Sequence, residues 1–129
     1  MRVEEKAFKF AKNIIELVIS ISQNDIKFVL GKQLMRAGTS IGANIEEAQG
    51  GISRRDFIHG MNIAKKEARE TLYWLRLLSE FNFVSKEKLK ELIQECDELR
   101  RMLTSIVKTS QADSASEGIR NSSFITHNS

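Results

Sequence analysis

Apolar residues recur at steps of three and four in four separate stretches of the chain, and that pattern admits few folds. Val3, Ala7, Phe10, Ile14, Leu17 and Ile21 make the first row. Such a row lies on one face of an α-helix and packs nearly parallel to a neighbour. Phe8, Ala11, Ile15 and Val18 form a second stripe beside it, wider than a lone coiled-coil seam requires, so this helix is expected to touch more than one neighbour. A second helix over 25–49 carries Ile26, Leu30, Leu34, Ala37, Ile41, Ile45 and Ala48. A third over 54–81 carries Phe57, Met61, Ala64, Ala68, Leu72 and Leu75, with a further row at Ile63, Glu67, Glu70, Trp74, Leu77 and Phe81. The fourth shows Leu89, Leu92, Cys96, Leu99, Leu103 and Ile106 at heptad spacing, above an otherwise charged face. No proline interrupts any row. Four helices joined by short turns predict an all-α fold, an antiparallel up-down-up-down four-helix bundle over residues 1–109.

The punctuation between the rows agrees. Ser22-Gln-Asn-Asp25 breaks the first pattern, and Asn24 or Asp25 is placed to cap the second helix. Gly50-Gly51 is expected to end that helix through the left-handed conformation glycine tolerates. Ser53, with Asp56 three residues on, is close to a capping box for the third. From 110 to 129 the chain turns Ser/Thr/Asn-rich without apolar periodicity, and a disordered or loosely docked tail is expected there.

A length of 129 residues suits one domain, which buries roughly two thirds of its unfolded surface without staples. The single cysteine, Cys96, excludes an intrachain disulfide and a cysteine-based zinc site. Glu95, Asp97 and Glu98 around it raise a thiol pKa rather than activate it. Charges at Arg2, Glu4, Glu5, Lys6, Lys9 and Lys12 break up any signal-peptide core. No stretch approaches the ~18 apolar residues of a membrane span, so a cytoplasmic protein with no membrane partner is expected.

The least regular stretch is Arg36 to Ala48. On one helix, Gln33, Ala37, Ser40, Asn44 and Glu47 share a stripe, while Gly31, Gly38 and Gly42 gather on another. The first reads as a polar seam that pairs with Glu67 and Glu70 across a helix interface and fixes register. The second reads as a smooth groove for a close neighbour, since each helix-interior glycine costs about 1 kcal/mol that packing must offset. Gly38, Ser40, Gly42, Asn44, Glu47, Glu67, Glu70 and Trp74 are therefore structural and assembly candidates. Asn44→Leu or Gly42→Leu is expected to disturb oligomerisation first.

Catalytic chemistry finds no support. Asp56 and His59 have carboxylate-x-x-His spacing, but di-iron bundles need two such pairs, and the other histidine, His127, lies in the tail. Glu47, Glu67 and Glu70 remain as a rival carboxylate metal site of an enzyme, though no metal or other cofactor is expected. Ser40 lacks a general base nearer than His59, and Gly50-Gly51 lacks the Lys-Ser/Thr of a phosphate loop. Lys27, Lys32, Arg36, Arg54, Arg55, Lys65, Lys66, Arg69 and Arg76 are candidates for RNA or DNA contact. A net charge of +3 supports only weak non-specific binding by a monomer, and a symmetric ring multiplies the patch.

Ser40-Ile-Gly-Ala-Asn44-Ile-Glu-Glu47-Ala, then Arg55-Asp-Phe57, then Ile63-Ala-Lys-Lys-Glu67-Ala-Arg-Glu70-Thr-Leu-Tyr-Trp74 closely resembles the small four-helix-bundle proteins encoded within intervening sequences of 23S ribosomal RNA genes. The similarity spans residues 5–107. It implies an antiparallel bundle that assembles as a homopentamer, with no catalytic residues to carry over. Where that motif often carries proline, this chain has Gly42-Ala43. A more distant fold-level relative, the accessory protein of diversity-generating retroelements, is a basic pentamer that engages a reverse transcriptase and nucleic acid. By that analogy a reverse transcriptase or other protein is the alternative partner.

Overall fold

The computed structural model describes residues 1–21 and 24–128, the side chains of 25 and 117–128 excepted. Ser22, Gln23 and Ser129, assigned above to the first turn and the tail, lie outside the described residues, as does the His127 side chain. The fold is all-α: α1 Val3–Ser20, α2 Asp25–Gln49, α3 Arg54–Leu78 and α4 Lys86–Asn128. α1 packs on α2 and α4, and α3 packs on α2 and α4, so each helix of the bundle has two neighbours.

The cap residues act where the sequence places them. Asn24 Oδ1 accepts from the Lys27 amide at 2.9 Å, Ser53 Oγ from Asp56 at 3.1 Å and Ser85 Oγ from Lys88 at 3.2 Å. Each satisfies an amide that the first helical turn leaves open. Gly50 is a correction: its φ is −84°, and among the described residues no glycine has positive φ. The α2–α3 turn uses small residues for room instead, because a Cβ on Gly51 would stand 3.0 Å from the Ala48 carbonyl oxygen. α3 ends at Leu78, three residues before the expected Phe81, which stacks on Phe83 in the loop that follows.

The four rows meet in one core. Phe10, Ile14, Leu34, Ile41, Ile45, Met61, Leu75, Leu89, Leu92, Leu99 and Leu103 are all buried, and a side chain of this size contributes about 1.5 to 3 kcal/mol when withdrawn from water. Two rows shift by one position. On α3, Thr71 rather than Leu72 enters the core, its hydroxyl donating to the Glu67 carbonyl at 2.7 Å. On α4 the last core residue is Val107, not Ile106. Ile26, expected inside, is exposed in the first turn of α2. α4 also continues helically past 109 to Asn128, where a structureless tail is expected from composition. The stretch from 110 has no proline and its first glycine is Gly118, so local propensity permits the helix to run on after its core contacts end.

Gly31, Gly38 and Gly42 face α1 of the same chain. A Cβ on Gly31 would meet Val18 at 3.2 Å, one on Gly38 would meet Ile14 at 3.0 Å, and one on Gly42 would meet Ala7 at 3.6 Å. The groove is thus filled within the chain. α2 passes unbroken through Gly42-Ala43, where the family motif often carries proline. Gly60 was not singled out from sequence, yet it makes the tightest approach: a Cβ there would lie 2.6 Å from Ala48 Cβ and 3.0 Å from its Cα.

These distances separate two substitutions of the same chemistry. Gly42→Ala is expected to stabilise the fold by up to about 1 kcal/mol, since the new methyl finds ordinary contact and the helix gains propensity. Gly60→Ala is expected to destabilise it by about 1 to 3 kcal/mol, because the facing atoms include backbone. Urea unfolding midpoints at matched protein concentration check both signs.

Candidate functional site

The polar seam is assembled by a residue that sequence patterning assigned elsewhere. Arg36 Nη2 donates to Glu70 Oε2 at 2.5 Å and Nη1 to Glu67 Oε2 at 3.5 Å, while Nε and Nη2 both reach Gln33 Oε1 at 3.4 Å. Glu67 and Glu70 are therefore held by an arginine of α2. Ser40 and Asn44 do not cross the interface. The Ser40 hydroxyl donates to the Arg36 carbonyl at 2.6 Å and the Asn44 amide to the Ser40 carbonyl at 2.7 Å, both within α2. Glu47 is exposed. The expected seam is corrected accordingly: its cross-helix element is Arg36 with two carboxylates, and Ser40 and Asn44 serve their own backbone. The rival carboxylate site is altered by the same observation, because Glu67 and Glu70 both accept from the Arg36 guanidinium and Glu47 is exposed on α2.

Trp74 continues the Glu67–Glu70 row as a half-buried side chain. Its ring meets Tyr73 edge-on, centroids 5.1 Å apart, and its Nε1 is buried without a hydrogen-bond partner among the described residues. Cys96 is buried in the core, its thiol donating to the Ala68 carbonyl at 3.3 Å. Burial, reinforced by Asp97, pushes that thiol up to about 12, so it stays protonated and unreactive.

The basic residues divide by surroundings. Arg36 is committed to Glu67 and Glu70. Lys27 lies over the Phe83 ring, 4.9 Å from its centroid, and with Lys32 it borders an apolar cavity of about 380 Å³ between α1 and α2, walled by Val18, Ile19, Ile21, Phe28 and Met35. Arg54, Arg55 and Lys66 stand exposed on α3. Lys65, Arg69 and Arg76 line a depression of about 600 Å³ between α3 and α4, together with Leu72, Tyr73, Arg100 and Thr104. Tyr73, Arg100 and Thr104 were missed. The signal for the last two was present, since they immediately follow core residues Leu99 and Leu103 and so border the α3 interface.

A second surface is apolar. Phe8 is 71% exposed and Ile19 74%, on one stripe of α1 with Ile15 between them; Phe28 and Val29 are exposed at the start of α2. The second stripe of α1 was expected to find another neighbour, and among the described residues Phe8 and, to a lesser degree, Ile15 stay exposed.

The model of the 23S rRNA-intervening sequence protein family matches residues 1–105. The chain belongs to that family. A solved structure from Bacteroides thetaiotaomicron, described as a protein with unknown function from the S23 ribosomal protein family, is similar at 42% identity and a TM-score of 0.79. The match covers 83% of this chain and 99% of that one. No curated protein matches. The family assignment agrees with the resemblance read from Ser40–Ala48 and Ile63–Trp74, and the matched span contains every residue of the Arg36–Glu67–Glu70 cluster. Among the described residues, no helix is long and apolar enough to cross a membrane.

In this family member the cluster carries a measurable charge balance. Burial raises the Glu67 carboxyl above its ordinary range, Glu70 beside it pushes the same way, and Arg36 pulls it back. A carboxyl raised in the folded state binds protons more readily there than in the unfolded chain. Glu67 therefore costs stability as pH rises from the ordinary carboxylate range through its raised value. Arg36→Met removes the opposing cation. It is expected to lower stability by about 1 kcal/mol at neutral pH, a figure kept small because Arg36 is half exposed. The loss is expected to shrink by about pH 4, where Glu67 is largely protonated in both states. Urea unfolding at the two pH values checks it.

Proposed function

We propose that this protein is a non-enzymatic, homo-oligomeric scaffold of the cytoplasm that contacts RNA or DNA through its basic face. Its helices alternate in direction, up-down-up-down, and its copies close into a ring of five. The observation that carries this reading is the placement of two unlike surfaces. The exposed apolar stripe of Phe8, Ile15, Ile19 and Phe28 belongs to the α1–α2 pair. The depression lined by Lys65, Arg69, Arg76 and Arg100 belongs to the α3–α4 pair. Because each helix packs only on its two neighbours, these pairs form opposite sides of the bundle.

A contiguous apolar face on a soluble domain marks an interaction surface. Closing α1–α2 faces around an axis buries the apolar side and turns the cationic side outward, where several copies act together on one polyanion. The alternating direction is supported by register: Val18, Ile14 and Ala7 of α1 meet Gly31, Gly38 and Gly42 of α2, so numbers fall along one helix as they rise along the other. The count of five is what membership of the family suggests. A cytoplasmic setting suits the lone, buried thiol of Cys96. The non-enzymatic assignment rests on Ser40, Asn44, Glu67 and Glu70, which are all engaged in helix or interhelix bonds.

Light scattering on the purified chain at micromolar concentration is expected to give an oligomer, and Ile19→Glu is expected to shift it to monomer with helix content unchanged. A wild-type protein that is monomeric throughout contradicts the ring.

A further inference from the structure

The α3–α4 depression combines two features that a merely solvated helix face lacks. Its cations come from both walls, Lys65, Arg69 and Arg76 from α3 and Arg100 from α4. Among the described residues no carboxylate lines it, and Lys65, Arg69 and Arg76 have no ion-pair partner. Arg100 is held by Asp97, its Nε and Nη2 donating to Oδ1 at 3.0 and 2.8 Å. Asp97 also takes Arg101 at 2.9 Å. Arg100 is thereby fixed in orientation, with Nη1 left over for a ligand.

The second feature is Tyr73. It is 58% exposed, and it stands where this depression meets another of about 420 Å³, also lined by Arg76. An exposed phenol ring braced edge-on by Trp74 and flanked by arginines is a stacking platform. From Lys65 to Arg76 the wall runs roughly 16 Å along the helix, enough for several phosphates of one strand.

We infer that the α3–α4 groove takes a single strand of nucleic acid, with an unpaired base stacked on Tyr73, with Lys65, Arg69 and Arg76 neutralising the strand's phosphates, and with Arg100, already paired with Asp97, donating a hydrogen bond to one of them. This rests on the nucleic-acid part of the reading above and names the form of the ligand. A duplex offers the same phosphates but hides its base faces in its own stack, leaving Tyr73 idle. An acidic peptide satisfies the cations but brings no flat face to the ring.

The test is fluorescence anisotropy on the full chain with a labelled oligouridine of about a dozen nucleotides and an RNA duplex of the same length, titrated across about 50 to 200 mM salt. The single strand is expected to bind more tightly than the duplex, with the logarithm of the affinity falling linearly in log salt. Tyr73→Ala is expected to weaken the single strand about fivefold or more and leave the duplex unchanged, whereas Tyr73→Phe retains binding. Arg69→Glu and Arg76→Glu are expected to weaken both ligands and flatten the salt slope by about one for each. Circular dichroism confirms that each variant is folded. Equal affinity for both ligands with no effect of Tyr73→Ala overturns this inference and leaves general polyanion binding standing. No binding of either ligand at low salt overturns both.

Discussion

The close approach of α1 to the glycine face of α2 is the contact on which the rest of the molecule depends. Where Gly38 has no side chain, Ile14 fits with its branched carbons 3.0 Å from the missing Cβ position, and Ala7 lies against Gly42 with backbone in reach. Each glycine costs about 1 kcal/mol of helix propensity. Complete burial of Ile14 and Phe10 offsets that, at about 1.5 to 3 kcal/mol for each side chain. The fit also commits the 4-3 row of α1 entirely to α2 and α4. Phe8, Ile15 and Ile19, one step round the helix, are left outside the core.

From that commitment follows a bundle with two differently dressed sides. On the α2–α3 interface, Arg36 bridges Glu67 and Glu70 about three turns along α2 from the tight Gly60–Ala48 crossing, and the two contacts together set the register of the helices. Drawing Arg36 into that bridge takes it out of the basic face and spends the most conspicuous carboxylates of α3. Lys65, Arg69 and Arg76 lie on the opposite edge of α3, toward α4, where Arg100 completes a groove. The exposed apolar stripe on α1–α2 and the cationic groove on α3–α4 are therefore consequences of the same packing pattern.

Much of this was legible in the residues themselves. The four apolar rows, the cap residues Asn24 and Ser53 and the close approach of a neighbour to Gly38 and Gly42 all follow from short-range periodicity and local chemistry, which sequence records directly. What escaped was the identity of partners across interfaces. A row of Ser40, Asn44 and Glu47 facing Glu67 and Glu70 has the right spacing for a cross-helix network, but short hydroxyl and amide side chains reach their own helix's carbonyls first. Arg36 is long enough to cross and they are not. Gly60 and the groove around Tyr73 depend on which residues of two distant segments come level, and periodicity within one helix does not encode that. The extension of α4 beyond 109 reflects local helix propensity acting where no core row remains to announce it.

In the proposed assembly the α1–α2 face is covered by another copy while the α3–α4 groove stays open. Hydroxyl-radical footprinting of the intact protein, with each side chain normalised to its reactivity in the unfolded chain, reads this directly, because Phe8, Phe28 and Tyr73 are all well exposed on a single chain. The predicted result is strong protection of Phe8 and Phe28 with Tyr73 reactive. Phe8 and Phe28 labelled as readily as Tyr73 would contradict it.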